Sequence, residues 1–100
     1  MKMVEVVVAR IYITEASKLL KHILEYLQND VKVRGVSVFR AISGFGETGE
    51  HTSSLVDLSL NLPLVIEFFD SSEKVMPALE HLDTLVKAEH VVYWVAQANA

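Results

Sequence analysis

The residues best suited to chemistry lie in one glycine-rich stretch, ISGFGETGEH, which runs from Ile42 to His51. Gly44, Gly46 and Gly49 satisfy the pattern G-x-G-x-x-G, in which glycine amides approach a pyrophosphate closely. That pattern indicates a dinucleotide site only where it follows the first strand of a βαβ unit and opens a helix. Here it follows the second predicted strand and no helical stripe comes after it, so a dinucleotide site is disfavoured.

The glycine stretch opens a long segment, 43–61, which exceeds the usual connection of ~4–6 residues. Glycine amides can cradle an anion or can simply close a tight turn, and the residues leave both interpretations open. Glu47, Glu50 and Asp57 disfavour a highly charged phosphate in this segment. Few apolar contacts can hold a stretch of this composition, which predicts mobility from about residue 47 to 60.

The remaining reactive groups form no catalytic or metal-binding pattern. The chain has four histidines and no cysteine, which excludes disulfides, thiolate metal sites and thiol catalysis. No histidine pair has H-x-x-x-H spacing, and His22 and His81 are expected on helix surfaces. The sequence therefore predicts a protein that is not an enzyme, with no catalytic residue and no metal site.

Hydrophobic periodicity predicts four strands and two helices in the order β-α-β-β-α-β. The strands are expected over 4–13, 35–42, 63–70 and 90–97, the first helix over 15–29, and the second after residue 70, with an Asp70–Glu73 capping box and a kink or frayed first turn at Pro77. This order is typical of an α+β ferredoxin-like sandwich, a four-stranded antiparallel sheet with two helices on one face. One domain spanning 1–100 is expected.

The predicted strands are apolar on both sides, although two helices can cover only one face of a sheet. The other face would expose more apolar surface than a monomer usually tolerates, which predicts that another chain covers it. A monomer with a hydrophobic back face is the alternative. The net charge of −4 without a Lys/Arg cluster argues against nucleic-acid binding. The charged start and the lack of a ~20-residue apolar run predict a cytoplasmic protein without membrane insertion.

Five residues of the glycine stretch carry a family resemblance. Gly44, Phe45, Gly46, His51 and Thr52 match, in order and spacing, the segment that enters the T-loop of PII signalling proteins. The whole chain more closely resembles the uncharacterised PII-like family called domain of unknown function 190. The further motifs of that resemblance are Ile11-Tyr12-Ile13 with Glu15, Val38-Phe39-Arg40, Leu62-Pro63, and Asp70 with Glu73-Lys74.

The resemblance implies a homotrimer whose sheets face inward, with an adenine nucleotide in the clefts between subunits. It also implies that the loop 43–61 reports the ligand to a partner protein, either a transporter or an enzyme. The ligand-binding residues expected on this basis are Arg40, Gly44, Phe45, Gly46, His51 and Thr52.

The chain departs from the PII pattern at positions that face phosphate. Glu47 and Glu50 stand where basic residues are usual, and the stretch VKAEH before the last strand offers only Lys87. We therefore expect a mono- or diphosphate, a cyclic nucleotide, or no nucleotide, in preference to a bare triphosphate. A small trimeric metal-binding protein of the CutA type, or a small ferredoxin-fold enzyme, is the alternative function.

Overall fold

The computed structural model describes residues 1–14, 17–44 and 62–100. Its elements are β1 (Met3–Thr14), α1 (Leu19–Glu25) with a π-helical continuation (Tyr26–Val31), β2 (Val36–Arg40), β3 (Pro63–Asp70), α2 (Ser72–Leu82) and β4 (Val91–Asn99). The strands form one antiparallel sheet in the order β2-β3-β1-β4. The predicted ferredoxin-like fold class is confirmed.

The core lies between the helices and the two central strands, β1 and β3. Ile11 stands opposite Ile66 and Ala9 stands opposite Phe68 in the register of these strands, and all four are buried. Because side chains alternate along a strand, this register turns one apolar row of each strand toward the helices. The helices contribute the buried side chains Ile23, Leu27, Val75, Ala78, Leu79 and Leu82.

The first helix differs from its prediction at both ends. It begins at Leu19, whose backbone N–H donates to the Ser17 hydroxyl at 3.1 Å. It continues past Glu25 as a π-helix and ends at Val31, and the C-cap residue Lys32 is left-handed with φ 60°. Apolar spacing alone does not separate α from π geometry, so the predicted end fell short of the real one.

For the second helix, the predicted capping box is wrong, as is the frayed first turn; a kink at Pro77 stays a prediction. Asp70 is not the N-cap of a capping box with Glu73, because Ser71 occupies that position and the Asp70 carboxylate accepts the Ser71 N–H instead. Pro77 does not fray the first turn, which is closed by the Val75 N–H donating to the Ser71 carbonyl at 2.9 Å. The missing N–H of Pro77 removes only a bond to the Glu73 carbonyl.

Among the described residues, Asp70 is the one charged residue that is buried, with 3% of its surface exposed. Its carboxylate accepts the backbone N–H of Ser71 at 2.7 Å and that of Arg34 at 3.1 Å. The side chains of Arg34 and Lys74 lie 3.6 and 3.8 Å from it. One carboxylate therefore joins the end of β3, the start of α2 and the segment leading into β2.

We expect Asp70→Ala to lower the free energy of unfolding by about 2–4 kcal/mol, because it leaves two backbone donors and two cations without their acceptor. Urea denaturation measures the change. Glu80→Ala, which removes an exposed carboxylate from α2, is the matched control and should change stability by less than about 0.5 kcal/mol. Equal effects of the two substitutions would contradict the linking role of Asp70.

Candidate functional site

Arg40 and Gly44 lie together at the end of the sheet where β2 leaves and β3 begins. Arg40 is exposed and stands opposite Leu64, and the next residue, Ala41, donates its backbone N–H to the Pro63 carbonyl at 2.9 Å. Gly44 has φ +157°, and a methyl group added to it would lie 3.6 Å from the Pro63 ring. The structure thus brings two of the six predicted ligand-binding residues to the same end of the sheet. The other four, Phe45, Gly46, His51 and Thr52, lie outside the described residues. The segment 47–60, for which mobility was predicted, also lies outside them.

A tight turn lies at the same end of the sheet but at the opposite edge. The His90 N–H donates to the Lys87 carbonyl at 3.2 Å, and the His90 carbonyl accepts the Tyr12 N–H at 2.9 Å. Glu89 is left-handed, with φ 67°. No sequence pattern indicated this strained position, because glycine or asparagine is usual there and glutamate is not.

Within the described residues, these two features lie too far apart to form one pocket. Three strand spacings separate β2 from β4, which places Arg40 and the Lys87–His90 turn roughly 14 Å apart. Each feature therefore lies at its own edge of the sheet.

The open face of the sheet carries an ion pair among apolar side chains. The Arg10 Nε donates to Glu67 Oε1 at 2.7 Å, and the guanidinium lies 5.7 Å from the centre of the Trp94 ring. Hydrogen bonds to the Glu67 carboxylate and to the Tyr12 side chain raise the pKa of Arg10. The sequence does not predict this ion pair, because two residues 57 positions apart meet only through strand pairing.

A polar groove lies on the opposite, helical side. Its volume is about 420 Å³ and its lining residues are His22, Glu25, Tyr26, Asn29, Asp30 and His81. The Tyr26 and His81 rings are 4.4 Å apart, and burial, with the charge of Asp30, raises the pKa of Tyr26. Within the described ranges, no three histidine or carboxylate side chains are grouped so as to hold a metal ion.

The described helices are too short or too polar to cross a membrane.

The fold is that of PII-like proteins. The chain is similar to CPII of Thiomonas intermedia K12, whose structure holds ADP and bicarbonate, with a TM-score of 0.67, 22% identity, and 97% of this chain and 89% of that one covered. It is also similar to the putative PII-like signalling protein TTHA0516 of Thermus thermophilus, with a TM-score of 0.63 and 19% identity over 98% and 90% of the two chains.

The chain belongs to the DUF190 family, described as "Uncharacterized ACR, COG1993", whose model matches residues 1–98. The UPF0166 protein MJ1524 of Methanocaldococcus jannaschii is 30% identical over 90 residues, which cover 85% of this chain and 82% of the relative. A UPF0166 protein of Aquifex aeolicus is 39% identical over 66 residues, covering 62% and 63%. The resemblance that the sequence motifs predicted is confirmed.

We expect Glu89→Gly to raise the free energy of unfolding by about 0.5–1 kcal/mol, because glycine adopts a left-handed conformation without the steric cost that glutamate bears. Thermal or urea denaturation measures the change. Ala88→Gly is the matched control one position earlier. It should lower stability, because residue 88 is not left-handed and glycine there only raises the conformational entropy of the unfolded chain. A loss of stability in Glu89→Gly would contradict strain in this turn.

Proposed function

We propose that the protein is a cytoplasmic PII-like regulatory protein of one domain, residues 1–100, that assembles as a homotrimer and senses a small ligand at its subunit boundaries. The ligand class is an adenine nucleotide, and the loop 43–61 reports its presence to a partner protein. The observation that carries the proposal is that Arg40 with Gly44 and the Lys87–His90 turn lie at opposite edges of one sheet end, apart within the described residues. We take these two features as half-sites that a neighbouring chain would bring together.

The distribution of exposed apolar residues supports assembly. Val38 and Phe39 on β2, and Tyr93 and Val95 on β4, each expose between 41% and 58% of their surface. Val38, Tyr93 and Val95 lie on the helical face of the sheet and Phe39 lies on the open face, so the helical layer leaves both edge strands uncovered. The open face adds the further exposed residues Val4, Phe69, Val92 and Trp94. A monomer would leave this apolar surface in water.

The ligand class follows from the groups at the β2 edge. Arg40 supplies a guanidinium, which suits phosphate oxygens, and Gly44 lets backbone amides approach an anion. We assign Phe45, Gly46, His51 and Thr52 to the same site from the family resemblance. The ADP in the CPII structure agrees with this class of ligand. Glu47 and Glu50 favour a mono- or diphosphate or a cyclic nucleotide over a bare triphosphate.

We expect the assembly to depend on the open face and the fold to depend on the helix side. Val8→Asp should yield a folded monomer, because a carboxylate on the open face must be desolvated on association. Ile11→Asp should unfold the chain, because Ile11 is fully buried under the helices. Light scattering and circular dichroism measure the two effects.

Lys18→Asp, on the exposed start of the first helix, is the control for added negative charge and should keep the wild-type mass. A wild-type chain that scatters as a monomer at micromolar concentration would refute the trimer. An unaltered trimer in Val8→Asp would place the interface elsewhere.

We expect calorimetry to detect binding of AMP, ADP or cyclic AMP, and Arg40→Ala to weaken it about tenfold or more through loss of a charged hydrogen bond. Lys21→Ala, an exposed cation on α1, is the control and should leave the affinity unchanged. Titrations with ATP, with and without magnesium, test the preference against a triphosphate. No heat with any nucleotide would overturn the ligand class, and tight binding in Arg40→Ala would place the ligand away from the β2 edge.

A metal-binding trimer of the CutA type, or a small enzyme, remains the second candidate. A thermal-shift screen with divalent metals distinguishes it from the nucleotide sensor. A rise in melting temperature with a metal and none with a nucleotide would favour that alternative.

A further inference from the structure

The ion pair between Arg10 and Glu67 occupies the centre of the face that the proposed assembly covers. The two residues stand directly opposite each other on the central strands β1 and β3. In the single chain, the Arg10 side chain is 42% exposed and that of Glu67 is 28% exposed. Water therefore still solvates part of both charges, and an apolar cover would remove that water.

Removing this water requires new hydrogen-bond partners for the guanidinium. Arginine has five N–H donors, and here the guanidinium is engaged by Glu67 at Nε and also by the Tyr12 side chain. Desolvating a charge pair without satisfying its remaining groups costs several kcal/mol. A purely apolar partner surface would therefore bind this face poorly.

A second copy of the chain provides the missing partners. The alternation of side chains along the four described strands places Arg10 and Glu67 on the open face, and the other residues there are uncharged. The largest of those residues are Tyr12, Phe39, Phe69 and Trp94. When copies meet through this face, Glu67 is the sole carboxylate of these strands that can reach the Arg10 guanidinium of a neighbouring copy.

We propose that Arg10 of one copy contacts Glu67 of the next across the subunit boundary, so that the copies assemble in a single register around a ring of alternating charges. This inference rests on the homotrimer proposed above. On the open face, each chain carries one positive and one negative charge. A rotation axis can therefore close the ring without leaving a charge unmatched. The Trp94 ring beside Arg10 supplies a flat apolar support for the guanidinium.

Subunit mixing tests this contact. The double variant Arg10→Glu/Glu67→Arg keeps one charge of each sign and should assemble with itself. In a mixed assembly with wild type, like charges would meet at subunit boundaries. After unfolding and refolding an equal mixture, native mass spectrometry should find mixed trimers reduced about tenfold or more below random proportions.

The exposed i,i+4 pair on α1 provides the matched control. Lys21 and Glu25 lie 3.9 Å apart on the outer surface, and Lys21→Glu/Glu25→Lys should mix with wild type at random. Random mixing by the Arg10/Glu67 double variant, in trimers, would overturn the intersubunit contact and leave the trimer intact. Monomers in every sample would overturn the trimer and this inference with it.

If the double variant does not fold, Glu67→Gln provides the second measurement. Its circular dichroism should match that of wild type, and its association constant from sedimentation should fall about tenfold or more. An association constant equal to that of wild type would overturn the inference.

Discussion

The antiparallel pairing of β1 with β3 is the constraint on which the other features depend. Its register runs from Val7 opposite Asp70 to Thr14 opposite Pro63. It turns one apolar row toward the helices, sets Arg10 opposite Glu67 on the other side, and brings Asp70 to the end where α2 begins. A slip of β1 by one residue would turn Arg10 toward the helices, separate it from Glu67 and expose the core row of that strand.

The helical layer is narrower than the sheet, and this difference links the fold to the proposed assembly. The helices bury residues of the central strands, whereas β2 and β4 expose apolar side chains on both faces. The edges that remain uncovered also carry Arg40 with Gly44 and the strained Glu89 turn. Surface that is unfavourable in a monomer thus lies where a neighbouring chain would complete a ligand site.

The element order and the two-sided apolar strands could be predicted because period-two alternation and helical stripes are local patterns. The third strand was predicted at its observed bounds, residues 63–70, since a proline opens it and a charged residue closes it. Arg40 and Gly44 could be placed at one site because they are four residues apart beside the next strand. The π-helical extension, the Asp70 cluster and the Arg10–Glu67 pair could not be predicted, since each depends on geometry or on contacts between distant segments.

The sequence by itself determined the fold class and the family, because apolar periodicity and short motifs in fixed order need no knowledge of long-range contacts. It also predicted that two helices cover only one face of the sheet. Only the tertiary structure decided which charges share that face and how far apart the two half-sites lie. Those properties follow from strand register and strand order, which arise when segments far apart in the chain pair through their backbones.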